Sequence, residues 1–400
     1  MISRLPLKYG TRSNHGTIVK TTASRLILKI ASIRAPVSYP YPATKAPLRH
    51  ITTTAKALSA STTTMDKIRN TLAENFGGAF SKLGTSSFSL DECPDLTGKV
   101  GVITGGSQGI GFGVAYTLLK HNISKLYILS TSKDVIDSAK TVIAAELGQD
   151  KADRIKWMHC DLSDWRRTKE VAEAIENDTD RIDILVNNSG RGIMSADLTD
   201  YGVDRHMAVN HMGHVVLTSY LLPLMKKTAE QGNIVRISNQ SSNLHSGAPS
   251  DTKFASLDEI NRDSGPNGQY GKSKLAGLLY TRYFDRNVTQ KGYPNLLMNA
   301  THPGFVSTKQ STQDIHEPYP ITGYAMSHGM EPLKKTQFEG AVPTVYAVTV
   351  TKKGGEWICA PATPETASEL AQSDELMDNL MELTRTLVRE KTGGEAVVSF

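Results

Sequence analysis

Tyr270 and Lys274 stand four residues apart in the run "NGQYGKSKLAGLLYTRYF", residues 267–284. Leu275, Leu278 and Leu279 recur at helical spacing in the same run. A helix would put the phenol and the amine on one face, a turn apart. A free phenol has a pKa near ~10 and is a poor base at neutral pH. A cation within reach favours the phenolate, and the proton then becomes exchangeable with a bound oxygen. Taken alone, the pair is equally an amphipathic helix carrying a solvated lysine.

A second constellation is "GVITGGSQGIGFG", where a short apolar run enters glycines and then a helical pattern. Gly105, Gly109 and Gly111 would let the backbone turn tightly, approach a pyrophosphate and pack close to the strand. The helix N-terminus behind them offers free N–H groups and partial positive charge to phosphate.

The elements that must position these groups alternate. "KVGVITGG", "KLYILSTS", "RIKWMHCDLS" and "IDILVNNSG" read as strands. "GFGVAYTLLKHN", "DSAKTVIAAELG" and "WRRTKEVAEAIEND" read as the helices between them, and "DELMDNLMELTRTLVREK" as a last amphipathic helix. Strands alternating with helices of this length predict α/β architecture: one doubly wound parallel sheet, Rossmann-like, covered on both faces. No linker interrupts the alternation, so residues 96–400 read as a single domain.

This pattern resembles the short-chain dehydrogenase/reductase superfamily over residues 97–390. Thr104-Gly105 to Gly109-Ile110-Gly111 matches its T-G-x-x-x-G-I-G loop, with Ser107 and Gln108 inside it. The likeness implies that Asp161-Leu162 contacts adenine and that "NNSG" (Asn187, Asn188, Ser189, Gly190) ends the fourth strand. It implies that "HPGFVST", with Pro303, Gly304, Val306 and Thr308, clasps the nicotinamide amide. Tyr270-Gly-Lys-Ser-Lys274 is the family's Y-x-x-x-K. There the tyrosine exchanges the proton, and the lysine also bridges the nicotinamide ribose. "VRISNQSSNLH" places Ser242 as a second donor to the substrate oxygen, with Ser241 beside it and a slip between the two left open. Asn210 in "VNHMGH" corresponds to the asparagine that holds a water for Lys274. Asn239 and Gln240 are unusual residues for a strand end.

Cofactor choice turns on the end of the second strand, where an NAD enzyme carries a carboxylate. Here Ser130 or Thr131 falls at that position, with Ser132 and Lys133 following. Hydroxyls and a cation suit a 2′-phosphate, so NADP is the expected cofactor and NAD the alternative. His211 and His214 lie at helical spacing, but no carboxylate or thiol is placed beside them, and no metal is expected. Cys93, Cys160 and Cys359 show neither disulfide nor zinc spacing.

The insert 245–268 resembles the retinol-dehydrogenase-like and WW-domain-oxidoreductase-like branch. Residues 309–338 are expected to form a substrate lid, with Tyr319, Tyr324, Met326 and Met330 offering apolar surface, or else those residues pack on the core. The expected substrate is a hydrophobic carbonyl or alcohol. The alternative function is a dinucleotide-binding sensor or scaffold with little turnover.

Residues 1–65 hold ten Lys or Arg and no Asp or Glu, leaving 35 basic and 40 acidic residues in the remainder. The mildly acidic remainder gives nucleic acid no electrostatic support. The leader is Arg-rich, hydroxyl-rich and acid-free, as import presequences are. Arg49, Ile51 and Thr54 resemble a two-step processing site, so residues 1–58 read as a disordered mitochondrial presequence with the mature chain starting near Ser59. The architecture is similar to mitochondrial oxidoreductases of filamentous fungi, a blue-light-induced type among them. Residues 59–95 read as a short amphipathic helix and a linker. Residues 66–77 either dock on the domain or touch a membrane surface. No apolar run is long enough to span a membrane, and a homo-oligomer is compatible with all of this.

Overall fold

The computed structural model describes residues 69–74, 76–77, 88–307 and 334–400. The leader with its processing site, Thr308 and the lid residues Tyr319, Tyr324, Met326 and Met330 lie outside the described residues.

The longer elements are β1 (Val100–Thr104), α1 (Gly109–Lys120), β2 (Lys125–Ser130), α2 (Lys133–Leu147), β3 (Ile155–His159) and α3 (Trp165–Glu176). They continue as β4 (Ile184–Asn187), α4 (Gly213–Glu230), β5 (Val235–Gln240), α5 (Gly265–Phe284), β6 (Leu296–His302) and α6 (Gln337–Thr349). A final β7 (Trp357–Cys359), β8 (Thr363–Glu365) and α7 (Asp374–Lys391) close the chain. The strands form one sheet in the order β3-β2-β1-β4-β5-β6-β7-β8, parallel except for β8.

A parallel strand is covered on both faces, and alternate residues of each strand divide between two apolar clusters. Val102 and Leu185 join Trp165, Val215, Leu275 and Leu380 under α3, α4, α5 and α7. Ile103 and Val186 join Leu118, Ile143 and Val345 under α1, α2 and α6. The strand order reverses between β1 and β4, and the open crevice at such a switch point is where ligands bind in this architecture.

α5 is not amphipathic. Proline at its first turn favours the start, and the helix then runs buried on most sides, against the sheet within and α7 without. Arg282 pairs with Asp374, Arg286 with Asp378, and Tyr280 stacks on Phe400. Even Lys272 is buried, its ammonium donating to the Ile260 and Arg262 carbonyls.

Residues 69–74 are helical and dock on the domain. Lys335 Nζ donates to the Ala73 carbonyl at 2.6 Å, and a Cβ on Gly304 would stand 2.0 Å from the Glu74 carbonyl. Of the two open readings for this segment, the structure shows docking. Among the described residues no helix is long and apolar enough to cross a membrane.

Candidate active site

β1 delivers Thr104 to the start of the glycine loop. Gly105 and Gly109 take φ of +67° and +57°, the left-handed region that side chains resist. A Cβ on Gly111 would lie 2.2 Å from the Gly105 carbonyl, so only glycine allows the first turn of α1 to close on the strand. Gln108 caps α1 with no side-chain hydrogen bond, which leaves the first amides of the helix open to an anion. Ser107 lies in the glycine loop and Ile110 in the first turn of α1.

The β4 loop packs against it. Thr104 Oγ1 accepts from the Asn188 and Ser189 amides at 2.9 and 3.0 Å, while Asn188 Nδ2 donates to the Thr104 and Gly105 carbonyls. His214 Nε2 lies 2.9 Å from Thr104 Oγ1, and its Nδ1 lies 3.2 Å from the Asn210 carbonyl. A carbonyl only accepts, so Nδ1 carries the proton and Nε2 accepts from the threonine hydroxyl. Burial holds this imidazole neutral, with its pKa down at about 4.

Asn210 sits in a π-helical turn, Ala208–Met212, just before α4. Such turns break the regular ladder and recur at functional sites. Its amide is fixed on three sides: Oδ1 accepts from the Arg191 amide, and Nδ2 donates to the Arg191 carbonyl and to Ser273 Oγ.

Lys274 Nζ donates to the Gln240 carbonyl at 2.9 Å and lies 5.4 Å from the centre of the Tyr270 ring. A Cβ on Gly190 would stand 3.5 Å from that Nζ and 3.1 Å from Asn210 Oδ1. Burial lowers the lysine's pKa to about 8, so it is still mainly charged at neutral pH. The two serines after β5 face different ways. Ser241 Oγ donates to the Lys274 carbonyl at 2.8 Å, whereas Ser242 Oγ caps the turn Asn243–Gly247 by accepting from the Leu244 amide. That turn presses on α5 at Gly271, where a Cβ would lie 2.8 Å from the Ala248 nitrogen.

The other site residues singled out in the sequence lie along the same rim. Asp161 turns the chain after β3 by accepting from Ser163, and Leu162 is buried beside Gly213. Pro303, Gly304 and Val306 follow β6, with Val306 bridged to Lys335. Ser130 Oγ accepts from Trp157 Nε1 at the end of β2. Lys133 opens α2 and is held by Asp137 at 2.5 Å, an exposed pair that raises its pKa. His211 and His214 have separate partners, Thr384 and Thr104, and the nearby His206 meets the Gly192 carbonyl.

Sequence reasoning missed the work of Asn239 and Gln240, although their oddity was the signal. Asn239 bonds Asn187, Thr281 and Met298 across three neighbouring elements. Gln240 Oε1 accepts from Thr301 and Thr344, which pins the strand end whose carbonyl holds Lys274.

This site stands on the fold of a nucleotide-dependent oxidoreductase. The model for short chain dehydrogenases matches residues 99–252. The chain is 64% identical over 379 residues to the Neurospora crassa protein named "Putative oxidoreductase bli-4, mitochondrial", covering 94% of this chain and 91% of that one. The chain belongs to the short-chain dehydrogenase/reductase family. It is also 26% identical over 320 residues to the human WW domain-containing oxidoreductase, covering 78% and 73% of the two chains. Among solved structures, the RhlG/NADP active-site complex of Pseudomonas aeruginosa shares the fold with TM-score 0.51 and 22% identity, covering 66% and 95% of the chains.

Proposed function

We propose that this oxidoreductase transfers a hydride between NADP(H) and a hydrophobic carbonyl or alcohol, with Tyr270 exchanging the proton. The observation that carries the reading is the placement of Lys274 Nζ between the Tyr270 ring, the Gln240 carbonyl and the Gly190 backbone. A nicotinamide dinucleotide bound along the glycine loop would supply or take up the hydride. The open amides of α1 and the close approach at Gly111 fit its pyrophosphate.

In the reducing direction Tyr270 gives its phenolic proton to the substrate oxygen as the carbonyl carbon becomes an alcohol carbon. Lys274, charged at neutral pH, stabilises the phenolate left behind. Ser242 is the second donor to the oxygen, because Ser241 is committed to the Lys274 carbonyl. The Asn210 carbonyl accepts from His214 Nδ1 through one lone pair and would offer the other to a water that returns the proton to Lys274. Tyr270→Phe should leave dinucleotide affinity within about twofold while removing most turnover. Normal turnover on a panel of ketones and aldehydes would sink this mechanism.

The choice of NADP rests on Ser130 and Lys133 at the end of β2 and on the absence of a carboxylate there. Lys133 must leave Asp137 to meet a 2′-phosphate, and an exposed pair is weakly held. Lys133→Ala should weaken NADPH about tenfold or more and spare NADH, read as dissociation constants. Equal affinities in the unmodified protein would mean that the strand end is neutral to the phosphate. Asn239 and Gln240 bond core partners and residues 69–74 dock on their own domain, which favours the enzyme reading over the sensor alternative. The acid-free leader, and a relative whose name includes mitochondrial, support import into mitochondria with removal of residues 1–58.

A further inference from the structure

Where the rim follows β6, the ends of β6, β7 and β8 meet the docked segment 69–74 in a polar knot. Glu74, Cys359 and Glu365 each bring a ligand atom to within 4.8 Å of the others. Glu74 and Cys359 are 8% and 0% exposed, while Glu365 stands on the exposed edge strand and opens a path to solvent. His302, 3% exposed and stacked on Trp357, is not one of these three but sets its Nε2 beside them, 3.6 Å from Glu74 Oε1, and that nitrogen has no hydrogen-bond partner.

We propose that Glu74, Cys359, Glu365 and His302 bind one divalent cation of zinc type, which fastens the N-terminal segment to the loop after β6. The donor set is one thiolate, one imidazole and two carboxylates, the mixture that zinc accepts in four-coordinate sites. Two carboxylates around a buried thiol are otherwise a poor arrangement. Glu74 and Cys359 are both buried, and the thiol lies within 4.8 Å of both carboxylates. A dication reverses this, because a coordinating thiol gives up its proton to solvent. The three negative charges then face the ion and the Lys335 ammonium, which senses both Glu74 and Cys359 from its seat on the Ala73 carbonyl. Coordination through Nε2 moves the imidazole proton to Nδ1, at the expense of the long 3.4 Å contact from the Asn243 amide.

The test uses the full chain stripped with a chelator and then titrated with Zn²⁺ alone, and with Co²⁺ as a spectroscopic substitute. One equivalent of Zn²⁺ should bind, raise the melting midpoint and protect the 69–77 segment from protease. Co²⁺ should show a thiolate charge-transfer band. Cys359→Ser should abolish that band and weaken Zn²⁺ by about 100-fold or more, beyond the 10–100-fold that loss of an outer partner costs. Glu74→Gln, which keeps the side chain's shape, should weaken Zn²⁺ similarly and carries the test should the serine variant fold poorly. No stoichiometric binding, no thiolate band, or affinity unchanged in the variants would overturn the proposal.

Discussion

Lys274 is 6% exposed, and its ammonium has the Gln240 carbonyl within reach. Its pKa of about 8 lies below the ordinary 10.5 because burial penalises the charged form. Between those values the unfolded chain holds the proton and the native chain does not. Native stability from this group therefore rises as pH climbs from about 8 to about 10.5, and the penalty is whole below 8. Lys274→Met keeps the length of the side chain and removes the charge. At pH 7 it should stabilise the fold by about 2 kcal/mol, the burial penalty less one lost hydrogen bond, while turnover is lost. Denaturant titrations at pH 7 and pH 10 check this, and the gain should shrink at the higher pH. A variant less stable than the parent at pH 7 would show that the lysine's contacts outweigh its desolvation.

At the scale of elements, the proposed placing of Ser242 beside Tyr270 depends on how closely the turn Asn243–Gly247 approaches α5. Gly271 makes that approach, with backbone of the turn where a Cβ would go. Gly271→Val should push the turn and Ser242 away from Tyr270. The expected outcome is a fall in kcat of about 100-fold or more with dinucleotide affinity kept, measured by steady-state kinetics and direct binding. The strands and helices themselves were legible, because continuous apolar runs, buried throughout in β1 and β4, alternate with helical stretches through β1 to β4, and α7 shows its own helical pattern. The glycine loop and the Tyr270–Lys274 spacing were legible for the same local reason. The π turn at Asn210 was not, since it is one extra residue in an unbroken helical pattern. Nor were the polar bridges of Asn187, Asn239 and Gln240, which join side chains that meet only once β4, β5, β6 and α6 lie side by side. The cluster around Cys359 draws its ligands from opposite ends of the chain, so no spacing could announce it.

At the scale of the whole domain, the helix that carries Tyr270 and Lys274 is covered among the described residues. Leu376, Leu380, Met381 and Leu387 of α7 are buried, and α7 and the C-terminal Phe400 lie over α5. If the leader is removed on import near Ser59, the mature chain retains the segment that docks on Gly304. Mass spectrometry of the native protein should find a start near Ser59, and an intact Met1 would refute the processing.

That docked segment also sets an order of events. The hydrogen bond from Lys335 to Ala73 joins residues 262 apart in the chain. A ribosome delivers Ala73 long before Lys335 and β7, so the segment has nothing to dock on until synthesis is nearly finished. A contact of such long range forms late and slowly. A nascent chain would carry these residues open to proteases, and only the completed polypeptide would close them over the loop that follows β6.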